Sequence, residues 1–218
     1  MSLWVKVCAN TSLADTMLAV DAGADAVGFV FAPSPRQVTI SQVAAIAPEL
    51  PSSIEKIGVF VNSSFEQIAA AVQTCGLTGV QLHFEAGGDL PARLRNRFGT
   101  ALRILQVLHY APDMTDKAKA LAADKNIDAI LVDSRTAAAS GGTGIRFDWD
   151  AAASLFRTAE MKMIAAGGLN PSNVAEALSK LAPWGVDVAS GVESTPGHKD
   201  PEKVRAFVEN ARNAKLWS

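Results

Sequence analysis

Eight short apolar runs alternate with helix-length segments along this chain of 218 residues. The runs are almost continuously apolar, as in strands buried on both faces, and the segments between them carry apolar residues at helical spacing. They occupy residues 5–7, 26–31, 57–61, 79–82, 101–107, 129–132, 161–165 and 185–189. Eight βα units in about 200 to 250 residues favour a closed barrel. We therefore predict an α/β protein with a single (β/α)8 TIM barrel domain over residues 1–218.

Local signals support this architecture over an open sheet. The first turn after a strand, residues 8–12, lacks the glycine fingerprint of a dinucleotide-binding sheet. Asn170 precedes Pro171 and Asp200 precedes Pro201, which is the order of an N-cap residue and a proline at the first helical position. We predict that two helices begin at these residues.

Composition limits the class of partner. Lys and Arg total 20 against 22 Asp and Glu, so the basic surface of a nucleic-acid-binding protein is not expected. No run reaches the roughly 18 apolar residues of a membrane span, and the first residues predict a strand instead of a secretion signal. Cys8 and Cys75 have neither the spacing of a metal motif nor the number of a disulfide scaffold. We expect a cytoplasmic protein with reduced thiols and a small-molecule ligand.

Barrel enzymes carry their chemistry at the C-terminal ends of the strands. Reactive or polar side chains stand there in the predicted strands: Cys8, Arg36, Gln81, His83, Asp133 and Ser134. Cys8 fits either a small core residue or a functional thiol, and Lys6 lies on the same strand face, where its ammonium favours a thiolate.

The other candidates also leave two interpretations open. Asp133 suits either a turn cap or an acid, and Arg36 suits either an anion site or a surface salt bridge. His83 is either a hydrogen-bonded histidine or a catalytic one.

Glycine turns directly follow two of the predicted strands. Gly167 and Gly168 come after the seventh, and Ser190 and Gly191 come after the eighth. Backbone N–H groups gathered at such turns bind phosphate, so we predict a phosphate site there. The run at residues 141–144, Gly-Gly-Thr-Gly, is either a flexible lid or a surface of backbone donors.

These features, in this order, resemble the phosphoribosylanthranilate isomerase family of tryptophan biosynthesis. The resemblance extends over nearly the whole chain, and no single piece of it is specific alone. The matching pieces are residues 6–8, 27–31, 34–36, 58–62, 81–83, 133–134, 141–144, 147–149, 166–174, 190–193 and 196–200.

The resemblance implies an intramolecular aldose–ketose isomerisation, the Amadori rearrangement of N-(5-phosphoribosyl)anthranilate, with no metal and no organic cofactor. It assigns Asp133 as the general acid for the furanose ring oxygen and Cys8 as the general base at C2′. It places the anthranilate carboxylate on Arg36. It places the phosphate on backbone donors near the two glycine turns. The full predicted substrate-binding set is Arg36, Gln81, His83, Gly142, Gly144, Gly167, Gly168, Ser190 and Gly191. We expect a monomer or a homodimer.

Two departures from the family pattern bear on the site. Ala9 stands where the family commonly has glycine, and we expect it to disfavour a positive φ. Asn10 follows it and adds a polar group near the proposed base. The loop at residues 31–36 is one residue shorter than the usual form, which affects the reach of Arg36.

Three other functions remain open. A histidine-pathway isomerase performs the same rearrangement, but that family has aspartate where Cys8 stands and needs two phosphate sites. A pentose-phosphate epimerase needs metal-binding histidine and aspartate residues that the sequence does not show. A noncatalytic phosphosugar-binding barrel has no use for Cys8 paired with Asp133.

Overall fold

Eight parallel strands close into a barrel in the computed structural model, which describes residues 3–83, 88–111, 113–134 and 148–214. Each strand pairs with the next along the chain, and the first pairs with the eighth. The strands are β1 Trp4–Val7, β2 Ala26–Val30, β3 Glu55–Val61, β4 Gly79–His83, β5 Arg103–His109, β6 Ala129–Asp133, β7 Lys162–Ala165 and β8 Gly185–Val188. Each overlaps one predicted run, so the (β/α)8 prediction is confirmed.

A helix follows each strand, packed against the outer face of the barrel. The helices are α1 Leu13–Asp21, α2 Ile40–Ile46, α3 Phe65–Cys75, α4 Leu90–Phe98, α5 Met114–Ala122, α6 Trp149–Thr158, α7 Val174–Leu181 and α8 Pro201–Asn213. No helix in the described part of the chain is long and apolar enough to span a membrane.

A small antiparallel hairpin after β8 was not predicted. Its strands are β9 Glu193–Thr195 and β10 His198–Lys199. Strands of two and three residues are too short for an alternating pattern to identify them. The hairpin matters because it follows the second glycine turn directly.

One of the two predicted helix starts is confirmed and the other is wrong. The Asp200 carboxylate accepts the backbone N–H groups of Glu202 and Lys203 at 3.0 and 3.1 Å, as an N-cap does. Asn170 lies outside α7, which begins at Val174. Its side chain instead accepts the Ser172 backbone N–H at 2.9 Å, so a local turn competes for the cap oxygen.

The barrel interior becomes polar towards the C-terminal ends of the strands. Because side chains alternate along a strand, Trp4 and Lys6 of β1, and Cys8 directly after it, point inward at successive heights. Around Trp4 the interior is apolar, with residues such as Ile57 and Leu105. Lys6 lies above this layer and is fully buried. Cys8 and the end of β6 lie at the mouth of the barrel.

Candidate active site

Cys8 lies immediately after β1, and its side chain is buried. Its backbone N–H donates to the Val188 carbonyl of β8 at 2.7 Å, which fixes the thiol at the barrel mouth. Gly28 of β2 makes room beside it. A Cβ atom at Gly28 would lie 2.6 Å from the Cys8 Sγ and 3.0 Å from the Lys6 Cε. A larger residue at position 28 would therefore displace the thiol or the lysine.

Lys6 is held beneath Cys8 by two buried partners. Its ammonium donates to the Asp187 carboxylate at 2.9 Å and to the Gln81 Oε1 at 2.8 Å. Burial lowers the pKa of Lys6, but the charges of Asp187 and Cys8 raise it more, and the net pKa lies above its ordinary value. Lys6 therefore remains a cation inside the barrel.

The Cys8 thiol is not activated in the way that the sequence suggested. Burial raises the pKa of Cys8, and the positive charge of Lys6 offsets only part of that rise. The negative charge of Asp187 also raises the pKa of Cys8, because it repels the negative charge of a thiolate. The predicted effect of Lys6 has the right direction, but burial outweighs it. Without substrate, Cys8 is therefore a thiol at neutral pH.

The hydrogen bonds of Lys6 continue through Gln81 to His83. Lys6 only donates hydrogen bonds, so the Gln81 amide must turn its oxygen towards the lysine. The Gln81 Nε2 therefore donates to the His83 Nε2, 3.1 Å away. The predicted binding residues Gln81 and His83 are thus joined to Lys6 in one polar chain.

Asp133 is the last residue of β6, and only 2% of its surface is exposed. Its backbone carbonyl accepts the Tyr110 N–H at 3.0 Å. The first glycine turn lies against it. A Cβ atom at Gly167 would lie 2.6 Å from the Asp133 Oδ1 and 2.2 Å from the Ser134 Oγ. Gly167 also has a φ of +75°, so glycine is required there for two reasons.

The two glycine turns lie in contact with each other. A Cβ atom at Gly191 would lie 1.9 Å from the Leu169 carbonyl oxygen, which leaves no space for any side chain. Gly168 has a φ of +68°, and its carbonyl accepts the Asn173 side chain at 2.9 Å. Within the described ranges, the backbone N–H groups of Gly168 and Gly191 donate to no protein acceptor. Two donor groups thus meet where β7 and β8 end.

Arg36 is half-buried and lies against the buried charges of Glu193 and Lys199. Its Nε and Nη2 donate to the Glu193 carboxylate at 2.9 and 2.7 Å. The Lys199 ammonium lies 3.3 Å from the same carboxylate. The arginine side chain is 14% exposed and the glutamate side chain 4%, so this pair is not the surface salt bridge that was one interpretation.

The pKa values of this cluster follow from its pairing. Burial raises the pKa of Glu193, but Arg36 and Lys199 lower it more, so its net pKa lies below the ordinary value. Burial lowers the pKa of Lys199, and Glu193 restores only part of the loss. Glu193 is therefore a carboxylate at neutral pH.

Sequence reasoning missed Asp187, Glu193 and Lys199 as site residues. A signal was present for Asp187, since it is a charged residue between Val186 and Val188 in a strand that is buried on both faces. Such a residue needs a buried partner of opposite charge. No comparable local signal marks Glu193 or Lys199.

The barrel fold and the polar groups at its mouth agree with the comparisons to known proteins. The family model described as N-(5'phosphoribosyl)anthranilate (PRA) isomerase matches residues 5–210. A relative named N-(5'-phosphoribosyl)anthranilate isomerase from Citrifermentans bemidjiense is 42% identical, over 97% of this chain and 98% of its own length. This chain belongs to the phosphoribosylanthranilate isomerase family.

Solved structures of phosphoribosylanthranilate isomerases share this barrel. The crystal structure of the Thermotoga maritima protein aligns with a TM-score of 0.84 at 33% identity, covering 96% of this chain and 98% of that one. A second crystal structure aligns with a TM-score of 0.81 at 32% identity, with the same coverage. That protein is described as a complex with reduced 1-(o-carboxyphenylamino)-1-deoxyribulose 5-phosphate.

We expected Ala9 to disfavour the positive φ that a glycine could adopt at this position, but Ala9 adopts it. Ala9 has a φ of +64°, in the left-handed region where the family commonly has glycine. Asn10 holds it there, because its backbone N–H donates to the Gly28 carbonyl at 2.9 Å and its side chain donates to Val7 at 2.9 Å. The expectation that alanine would avoid a positive φ is wrong, since these bonds outweigh the local strain.

Two residues of the predicted substrate-binding set, Gly142 and Gly144, lie outside the described residues. Among the described residues, no three His, Cys, Asp or Glu side chains are grouped so that they could hold a metal ion.

Proposed function

We propose that this chain is an N-(5'-phosphoribosyl)anthranilate isomerase that catalyses the Amadori rearrangement in tryptophan biosynthesis. Its product is 1-(2-carboxyphenylamino)-1-deoxyribulose 5-phosphate. One observation carries the proposal: the buried Cys8 and Asp133 lie at the ends of β1 and β6, on the same face of the barrel as the paired glycine turns. A pair of proton-transfer groups beside an anion site is what this isomerisation needs.

In the proposed mechanism, Asp133 acts first. It donates its proton to the furanose ring oxygen as the C1′–O bond breaks, while the nitrogen lone pair forms the C1′–N double bond of the Schiff base. Gly167 leaves the carboxyl group room at the turn. Each proton transfer contributes about 10²- to 10⁴-fold to the rate, and positioning of the substrate supplies the remainder.

Cys8 acts second as the general base. It removes the proton from C2′ of the Schiff base, and the electrons of that bond form the enamine that becomes the ketose. Because burial keeps Cys8 protonated in the free protein, the thiol must pass its proton to water before it can act as the base. Lys6 is the neighbouring cation that stabilises the thiolate when it forms.

The phosphate rests on the donor groups of Gly168 and Gly191 in this proposal, with Ser190 beside them. Arg36 binds the anthranilate carboxylate. The proposal also includes a cytoplasmic location, which the free thiols of Cys8 and Cys75 support. It treats residues 1–218 as one domain, present as a monomer or a homodimer.

The test follows the fluorescence of phosphoribosylanthranilate as it is consumed. We expect Cys8→Ser and Asp133→Asn each to lose at least about two orders of magnitude in rate and still to bind a product analogue. Cys75→Ser is the matched control, because Cys75 lies at the end of α3 and outside the barrel. Full activity in either site variant contradicts the role given to that residue.

Two further measurements on the wild-type protein separate the alternative functions. Turnover of the aminoimidazole carboxamide ribotide by the wild-type protein would indicate the histidine-pathway activity. Binding of the analogue without any turnover would indicate a noncatalytic phosphosugar-binding barrel. We expect neither result.

A further inference from the structure

The guanidinium of Arg36 is occupied along one edge and open along another. Its side edge, formed by Nε and Nη2, holds the Glu193 carboxylate at 2.9 and 2.7 Å. A guanidinium carries five N–H groups, so Nη1 and the second Nη2 hydrogen form an end edge that the glutamate does not use. Within the described part of the chain, Nη1 donates to no acceptor. A second carboxylate fits this end edge in the same plane.

Glu193 is itself held in place from three directions. It is the first residue of β9, two residues after Gly191, and it pairs with Lys199 across the hairpin. The Lys199 ammonium reaches the Glu193 carboxylate and the Ala189 carbonyl, each at 3.3 Å. The Lys203 ammonium donates to the Glu193 backbone carbonyl at 2.9 Å. The Glu193 side chain is therefore held in place, and Arg36 pairs with it in one orientation.

The charge of this cluster suits an anionic ligand. Arg36 and Lys199 carry two positive charges and Glu193 carries one negative charge, so the three together are singly positive. Glu193 alone would cancel the charge of Arg36. Lys199 restores it, so the cluster that holds the guanidinium keeps a net positive charge.

We propose that Glu193 is a positioning residue that aims the end edge of Arg36 at the ortho-carboxylate of the substrate's aromatic ring. This inference rests on the proposed function. Because Glu193 follows Gly191 by two residues, the same segment places both the phosphate donors and the carboxylate-binding edge. The hairpin thereby sets the distance between the two anionic ends of the substrate, which makes Glu193 a specificity-determining residue as well.

The test compares two ligands that differ only in the carboxylate. One is the reduced product analogue, 1-(2-carboxyphenylamino)-1-deoxyribitol 5-phosphate, and the other is its phenylamino counterpart. We expect the wild-type protein to bind the first at least about tenfold more tightly, as for one charge-assisted interaction. Glu193→Gln replaces one of the two acceptor oxygens with an amide donor and removes the negative charge, so it cannot keep the two-oxygen pairing with Arg36. It should lose most of that preference and bind the phenylamino ligand within about threefold of wild type.

Kinetics supply a second measurement. Loss of an interaction made equally in the ground and transition states raises KM and leaves kcat nearly unchanged. We expect this pattern for Glu193→Gln, with KM raised about tenfold. Glu202→Gln is the matched control, because Glu202 is an exposed carboxylate near the start of α8, and it should leave both ligands unaffected.

Arg36→Lys keeps the charge without the planar fork, and it tests the inference even if Glu193→Gln does not fold. Loss of the carboxylate preference in this variant supports recognition of the carboxylate by the planar guanidinium of Arg36, which the inference requires. Retention of the preference overturns it, because charge alone would then suffice. Equal weakening of both ligands in Glu193→Gln also overturns it, since that result indicates a structural role.

The outcomes also separate this inference from the proposed function. If wild-type turnover is normal and neither Glu193→Gln nor Arg36→Lys alters the preference, the carboxylate binds elsewhere and the inference is overturned alone. If the wild-type protein does not turn over phosphoribosylanthranilate, the proposed function fails independently of the ligand comparison.

Discussion

At the scale of single residues, the pKa of Cys8 is set by burial and by two neighbouring charges that act in opposite directions. Burial disfavours the thiolate, the positive charge of Lys6 favours it, and the negative charge of Asp187 disfavours it. Because burial is the largest of the three effects, the resting protein keeps its proposed base protonated. The proposed mechanism therefore needs the thiol to lose its proton before Cys8 can act as the base, with Lys6 as the cation that stabilises the thiolate.

We expect the Cys8 thiol to titrate above the ordinary value of 9.0 in the folded protein. The measurement is the ¹³Cβ chemical shift of labelled cysteine against pH, in a Cys75→Ser background that leaves one signal. The urea-unfolded chain is the control and should titrate near the ordinary value.

The shift also has a consequence for stability. Because folding raises the pKa of Cys8, this group contributes stability below pH 9.0 that is lost as the pH rises through the folded value. A midpoint below 9.0 in the folded protein would mean that Lys6 outweighs burial.

At the scale of secondary-structure elements, two helices end in the left-handed conformation with different residues. Gly76 follows α3 with a φ of +59°, and Ala182 follows α7 with a φ of +46°. Both positions are exposed, so packing does not complicate the comparison. Glycine adopts this conformation without the steric cost that the alanine Cβ carries.

Reciprocal substitutions at these two positions should therefore have opposite effects. We expect Ala182→Gly to raise the free energy of unfolding by about 0.5 to 1 kcal/mol and Gly76→Ala to lower it by about 1 kcal/mol. Urea unfolding followed by circular dichroism measures both. Destabilisation by Ala182→Gly would show that flexibility of the unfolded chain outweighs the strain at this helix end.

At the scale of the whole molecule, the last helix secures the start of the first strand. The Arg212 guanidinium of α8 donates to the Asp25 carboxylate at 2.7 Å, to the Gly23 carbonyl at 2.9 Å and to the Leu3 carbonyl. Asp25 in turn accepts the Val5 backbone N–H at 2.7 Å. These contacts lie at the N-terminal ends of the strands, opposite the candidate active site, so they affect closure of the barrel and not its chemistry.

We expect Arg212→Met to lower the free energy of unfolding by about 1 to 2 kcal/mol, through loss of hydrogen bonds to a charged group. The kcat/KM should stay within about twofold of wild type, because Arg212 is remote from the mouth of the barrel. Arg205→Met is the control on the exposed face of α8 and should change stability by no more than about 0.5 kcal/mol. A fall in kcat/KM without loss of stability would contradict this role.

Much of the candidate site was predictable because barrel enzymes place chemistry at strand ends. Cys8 and Asp133 lie at the ends of β1 and β6, and Gly167 and Gly191 follow β7 and β8, as the apolar runs indicated. Asn170 shows the limit of such local reasoning, because a side chain that fits an N-cap also fits a local turn, and the sequence does not rank the two.

The sequence by itself determined the number and order of the strands, since apolar periodicity is a local property that each βα unit carries separately. Only the tertiary structure decided which charges meet. Lys6 binds Asp187, which lies 181 residues away along the chain, and Arg36 binds Glu193 at a separation of 157 residues. These pairs exist because β8 returns to β1 when the barrel closes, and no local pattern encodes that meeting. The buried charges that set the state of Cys8 and align Arg36 therefore belong to the closed barrel.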